Sequence, residues 1–143
     1  MKDPKVVVVF LSNLWDVHGY LNHRTAWQPP DVWLEEIRTN YTAVVLELRR
    51  RMRPGVDCLV LQTMYNTGGD GLPSTYLAMV NSVIREVANS TALPLLAVDR
   101  LVRNCPVENL IDRVHLGEGP NRMIAQALLR SITNRSMCSS SSN

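Results

Sequence analysis

The chain has 143 residues, 45% hydrophobic and 20% charged, with 15 Lys and Arg against 13 Asp and Glu for a formal charge of +2. Normal apolar content and intermixed charges of both signs describe one ordinary globular domain and exclude intrinsic disorder for the body of the chain. The balance singles out no nucleic acid as a partner, and the longest unbroken apolar run, Val6 to Leu11, falls far short of the roughly 20 residues of a membrane-spanning helix.

Met1-Lys2-Asp3-Pro4 passes into a β-branched run without a small-residue cleavage site, so no secretory signal is read. As written the chain reads as cytoplasmic, with secretion left open should the native N-terminus lie further upstream. Lys5 to Leu11 (KVVVVFL) is continuously apolar after its first residue, the signature of a strand covered on both faces and central, or nearly so, in a parallel sheet. Beyond a polar and aromatic loop, Asp31 is expected to cap a helix with Glu35 and Glu36 in its first turn. Leu34, Ile37, Tyr41, Val44, Leu48 and Met52 give that helix an apolar stripe, and Pro54-Gly55 ends it. Val56 to Gln62 (VDCLVLQ) is a second buried strand, followed by the glycine-rich loop Asn66 to Gly71. Ser74 is expected to cap a helix with Leu77, Val80, Ile84 and Val87 on its inner face. Leu95 to Val98 is a third, short strand ending at Asp99. A last helix is expected from Gly119-Pro120, packing through Ile124, Leu128 and Ile132.

Strand and helix alternate three times, which predicts an α/β fold of three layers, α/β/α, with a parallel sheet. The domain is expected over residues 1–134, with 135–143 as a disordered, serine-rich tail. In such sheets function collects at the carboxyl ends of the strands, here Ser12 to Pro30, Thr63 to Pro73 and Arg100 to Gly119.

Several motifs carry bland readings. Cys58, Cys105 and Cys138 are odd in number and form no CxxC, which argues against both zinc and a disulfide framework. Asp16, His18 and His23 match no metal-ligand spacing, and no metal or cofactor is expected. Trp15, Trp27 and Trp33 are read as packing residues. The run Arg49-Arg50-Arg51-Met52-Arg53 is read as a solvated helix end that complements the helix dipole. Thr67 to Leu72 lacks the Lys-Ser/Thr of a phosphate loop. Asn40, Asn89 and Asn134 head Asn-x-Ser/Thr sequons, a hint of a secretory history that chance partly covers.

The most informative segment is Asp112 to Gln126 (DRVHLGEGPNRMIAQ). An Asp and a His three apart, before a helix, can pair so that the carboxylate accepts from Nδ1 and leaves Nε2 as a general base. That is the base half of a triad, and a surface loop with a partly buried His is its alternative.

DRVHLGEGPNRMIAQALL resembles the last block of the SGNH (GDSL-like) hydrolase superfamily, in which Asp-x-x-His precedes the C-terminal helix. Val6 to Tyr20 (VVVVFLSNLWDVHGY) is similar to the strand and Ser-x-Leu-Trp-Asp loop of its PC-esterase branch, and the likeness runs from Val6 to Ile132. It implies an SGNH/flavodoxin-like sheet and an acyl ester hydrolase or acyltransferase acting on small-molecule or glycan esters, acetyl groups on glycans among them. His115 would be its base and Asp112 the orienter. By the same likeness Asn13 would stand near the oxyanion donor of the family, although Ser12-Asn13-Leu14-Trp15 does not reproduce Gly-x-Asn-Asp and a capping role serves Asn13 equally. Ser12, Trp15 and Asp16 belong to the same substrate-side loop. The family's nucleophile block, Gly-Asp-Ser, is missing: the nearest string, Gly69-Asp70-Gly71, follows a different strand and has no hydroxyl. The chain is therefore expected to be the C-terminal part of a larger esterase-like domain, its N-terminal strands missing, and inactive as a fragment. A non-catalytic α/β interaction module, a pseudoenzyme pairing with another chain through its exposed strand edge, is the alternative. A flavodoxin-like ligand binder is a third.

Overall fold

Two apolar runs form neighbouring strands of the sheet. In the computed structural model, which describes residues 6–11, 29–54, 56–65, 74–103 and 115–133, Val6–Leu11 forms β1 and Asp57–Gln62 forms β2. They pair in parallel, in register from Val6 opposite Asp57 to Leu11 opposite Gln62. β2 continues in parallel to β3 (Leu95–Leu96), with Leu61 opposite Leu95. Parallel neighbours need crossovers, and two helices supply them: α1 (Pro30–Arg51) and α2 (Ser74–Ser90). A single helical turn, α3 (Val98–Leu101), follows β3, and α4 (Glu118–Thr133) closes the described chain.

Alternation along β2 assigns the layers. Leu59 and Leu61 are buried with Trp33, Tyr41 and Val45 of α1 and with Leu77, Val80, Val83, Ile84 and Val87 of α2. Cys58 and Val60 point the other way, into a second cluster with Leu96, Val98, Val102 and Leu116, against which Ile124, Ala127 and Leu128 of α4 pack. The result is the expected α/β fold in three layers. Among the described residues β2 is central, and β1 has a strand neighbour on one side only.

Several boundaries move for local reasons. Pro29, not Asp31, is the residue before α1, and it makes no side-chain cap. Pro30 takes the first helical position, where its missing N–H costs nothing, and Asp31 sits in the positively charged first turn. The inner stripe of α1 runs through Val45, which is fully buried, while Val44 is 44% exposed. Pro120 and Glu118 lie inside α4, which begins one residue earlier than expected. β3 stops at Leu96 and the chain turns into α3, so Asp99 lies in a helical turn rather than at a strand end. The arginine run closes α1 as expected: Arg50 and Arg51 pair with Glu47, Arg49 donates to the Thr91 carbonyl at 2.8 Å, and Arg53 pairs with Asp57. Trp33 packs at the inner face of α1, its ring edge-on to Tyr76 at 6.1 Å between centroids. Cys58 is disulfide-bonded, against the expectation from cysteine spacing, and its partner lies outside the described residues.

α2 ends in a paired-bond turn. The Leu93 N–H donates to the Ala88 carbonyl at 3.0 Å and the Ala92 N–H to that of Asn89 at 3.2 Å, which forces Ala92 to φ 52°. An alanine pays a steric penalty there that glycine does not. Ala92→Gly is therefore expected to stabilise the fold by about 0.5–1 kcal/mol, read as a higher midpoint in urea with an unchanged slope.

Candidate functional site

Polar groups gather where β2 and β3 end. Leaving β2, the Thr63 N–H donates to the Leu96 carbonyl at 3.1 Å, and the Thr63 hydroxyl donates to Asp99 Oδ1 at 2.6 Å. The Asp99 N–H returns to that hydroxyl oxygen at 3.2 Å. From α2, Arg85 Nη2 reaches both Asp99 oxygens, at 2.8 and 2.6 Å. One turn earlier on the same face, Asn81 clamps the backbone of Met64, accepting from its N–H at 2.7 Å and donating to its carbonyl at 2.8 Å. Thr63 and Asn81 are buried, so these bonds satisfy groups that water cannot reach. Burial pushes the Asp99 carboxyl up, but the hydrogen bonds from Arg85 and Thr63, with the charges of Arg85 and Arg100, outweigh it and hold it below its ordinary value.

The second assembly lies at the start of α4. His115 is exposed, and the next residue, Leu116, is buried in the cluster that contains Leu96 from the end of β3 and Val98 from the start of α3. Asn121 Nδ2 donates to the Leu116 carbonyl at 2.8 Å, and its N–H donates to the Gly117 carbonyl at 3.2 Å. A buried leucine and an asparagine clasp thus hold the backbone beside His115 and leave its ring at the surface. Glu118 pairs with Arg122 one turn on. Removing the clasp with Asn121→Ala is expected to cost about 1 kcal/mol, the usual worth of a hydrogen bond in this setting. The effect would be read by urea unfolding, with faster amide exchange at residues 115–117 as its local signature.

Of the site residues expected from sequence, only His115 falls among those described. Asp112, Ser12, Asn13, Trp15 and Asp16 lie outside them, as do His18, His23 and the Thr67 to Leu72 loop. Among the described residues, no three His, Cys, Asp or Glu side chains stand together as a metal site would need. Sequence reasoning passed over Thr63, Asn81, Arg85 and Asn121. The signal for two of them was present: Asn81 and Arg85 are four apart and interrupt the apolar stripe of α2 on its inner side, where a polar residue must have a partner.

No protein-family model matches the chain, and no curated sequence matches it. Solved structures do. The chain is similar to LAE5, an alpha/beta hydrolase enzyme from the metagenome of Lake Arreo, with a TM-score of 0.65 and 20% identity over 89% of this chain and 59% of that one. It is also similar to Axe2, an acetylxylan esterase from Geobacillus stearothermophilus, with a TM-score of 0.64 and 20% identity over 88% of this chain and 58% of that one. The likeness is one of fold, and the chain spans less than two thirds of either enzyme. Forms of Axe2 altered at one serine, one aspartate and one histidine are described as catalytic mutants, the aspartate three positions before the histidine.

Proposed function

We propose that the chain is the C-terminal part of an SGNH/PC-esterase-like domain, residues 1–134 followed by a tail, whose complete form hydrolyses or transfers acyl groups on esters of small molecules or glycans. The observation that carries this is the Asp112-x-x-His115 pair at the entrance to α4. Its spacing is that of the catalytic aspartate and histidine of Axe2, in a chain that shares the fold of that enzyme over 88% of its length.

In this reading Asp112 accepts from Nδ1 of His115 and fixes its tautomer, and Nε2 takes the proton of a serine hydroxyl as its oxygen attacks the acyl carbon. The same proton then goes to the departing alcohol, and water or a second alcohol resolves the acyl-enzyme. An amide such as that of Asn13 would donate to the developing oxyanion, with Ser12, Trp15 and Asp16 lining the substrate side. The serine comes from a segment preceding β1, and its strand pairs with the side of β1 that has no neighbour among the described residues. The fragment alone has a base but no activated nucleophile, so it does not turn over esters.

The test is a serine-directed fluorophosphonate probe applied to the full-length protein isolated from its source, with intact mass and N-terminal sequence determined alongside. Labelling of a serine upstream of β1, blocked by acetyl ester substrates, is the expected result. A full-length protein that the probe leaves unlabelled would favour the other reading, a non-catalytic module that uses the edge of β1 to pair with another chain.

A further inference from the structure

Two sequons that the proposed chemistry does not use stand on one face of the molecule. Asn40, in the middle of α1, and Asn89, in the last turn of α2, are both exposed. Both helices cover the same side of the sheet, over Leu59 and Leu61. The third sequon, at Asn134, lies outside the described residues.

A second observation is independent of these motifs. Cys58, 2% exposed within β2, is disulfide-bonded. Disulfides persist in oxidising compartments and are rare where thiols are kept reduced, and the oxidising secretory lumen is also where asparagine acquires glycans. The surface around Asn40 adds a third. Asn40 opens onto a shallow groove lined by Asp31, Val32, Glu35, Glu36 and Thr39, and it lies between Val32 and Val44, which are 48% and 44% exposed. Val44 is one turn from Asn40 on the same stripe, so a carbohydrate on Asn40 would cover apolar surface that otherwise faces water.

We propose that Asn40 and Asn89 carry N-linked glycans, making the α1 and α2 layer the carbohydrate-bearing face of the protein. The donor is an oligosaccharide on a polyprenyl diphosphate. The side-chain amide nitrogen bonds to the anomeric carbon, the bond from that carbon to the diphosphate oxygen breaks, the polyprenyl diphosphate leaves as an anion, and one amide proton passes to a base. Nothing is oxidised or reduced. Attachment precedes folding, because the Thr91 hydroxyl of the second sequon is buried and donates to the Val87 carbonyl at 2.6 Å in the folded chain, and the first sequon is wound into α1.

The test begins with the full-length protein isolated from its source, digested and treated with a glycan-removing amidase in heavy-oxygen water, which converts a glycan-bearing asparagine into isotopically marked aspartate. The mark is expected at positions 40 and 89 and absent without the amidase, and Cys58 should resist alkylation until the protein is reduced. An unmarked residue at either position overturns the proposal for that position, and alkylation of Cys58 without reduction overturns its compartment. Asn40→Gln, Thr42→Ala and Asn89→Gln, expressed in secreting eukaryotic cells, should each remove one glycan's step in gel mobility. Thr42→Ala keeps the asparagine, so its loss reads the sequon rather than the residue, and mobility reports on attachment whether or not a variant folds. Unchanged mobility in all three sinks the idea.

Discussion

On the proposed reading, His115→Ala in the full-length protein is expected to lower ester hydrolysis by about 10²–10⁴-fold, the contribution of a positioned general base. The backbone beside the histidine is held by Leu116, which is buried, and by the Asn121 clasp on the Leu116 carbonyl, and the substitution touches neither. The loss should fall on kcat, with KM little changed, because a base acts in the transition state and does not grip the substrate. Labelling by the serine probe should slow in parallel, since the serine is no longer deprotonated. Asp112→Asn should reduce kcat in the same direction by presenting the wrong tautomer. Full activity in the His115→Ala protein at unchanged fold would remove His115 from the mechanism.

The second large effect is on stability. Arg85→Met is expected to cost about 2 kcal/mol at pH 7, the worth of hydrogen bonds to a charged group. Its target, Asp99, is left with the Thr63 hydroxyl and its own backbone contact. The figure is set below that for a fully buried pair because the Arg85 and Asp99 side chains retain 28% and 25% of their exposure. The pair also fixes a pH dependence. The Asp99 carboxyl is held below its ordinary value of about 3.9, so the unfolded chain binds its proton first as pH falls. The stability it contributes is present above about pH 4 and drains away as pH drops through the folded value. Urea unfolding across pH 2–7 should show this decline in the natural chain and a weaker one in Asp99→Asn. Equal acid sensitivity in the two would mean that other carboxylates carry the effect. Arg85 and Asp99 should also couple, with the double variant costing less than the sum of the two singles.

The fold was readable where burial has a period and obscure where it does not. The interior of β2 announces itself because a strand covered on both faces needs an unbroken apolar run, and Val6 to Leu11 is a β-branched run of the same kind. Leu77, Val80, Ile84 and Val87 mark the inner face of α2 for the same reason, and all four are buried. In α1 the pattern was ambiguous, since Val44, Val45 and Leu46 are consecutive and periodicity accepts either valine. Contact with α2 and the sheet chose Val45. Asp99 illustrates the larger gap. The end of β3 depends on a carboxylate held by Arg85, 14 positions earlier, and by Thr63, 36 positions earlier, and no local pattern encodes such a pair. The Asp-x-x-His string can be picked out because its members are close in sequence, but Asp112 lies outside the described residues and the pairing remains part of the proposal. The clasp at Asn121 was not, because an asparagine inside a helix reads as surface until its acceptor is known.

β2 is the strand that both hydrophobic clusters share, Leu59 and Leu61 feeding one and Cys58 and Val60 the other. Neither helical layer can therefore melt by itself without stripping one side of the same six residues, whose backbone bonds are held on both edges. Such an arrangement joins the two sides into one cooperative unit, and partial loss of a layer would end in global unfolding rather than in a stable intermediate.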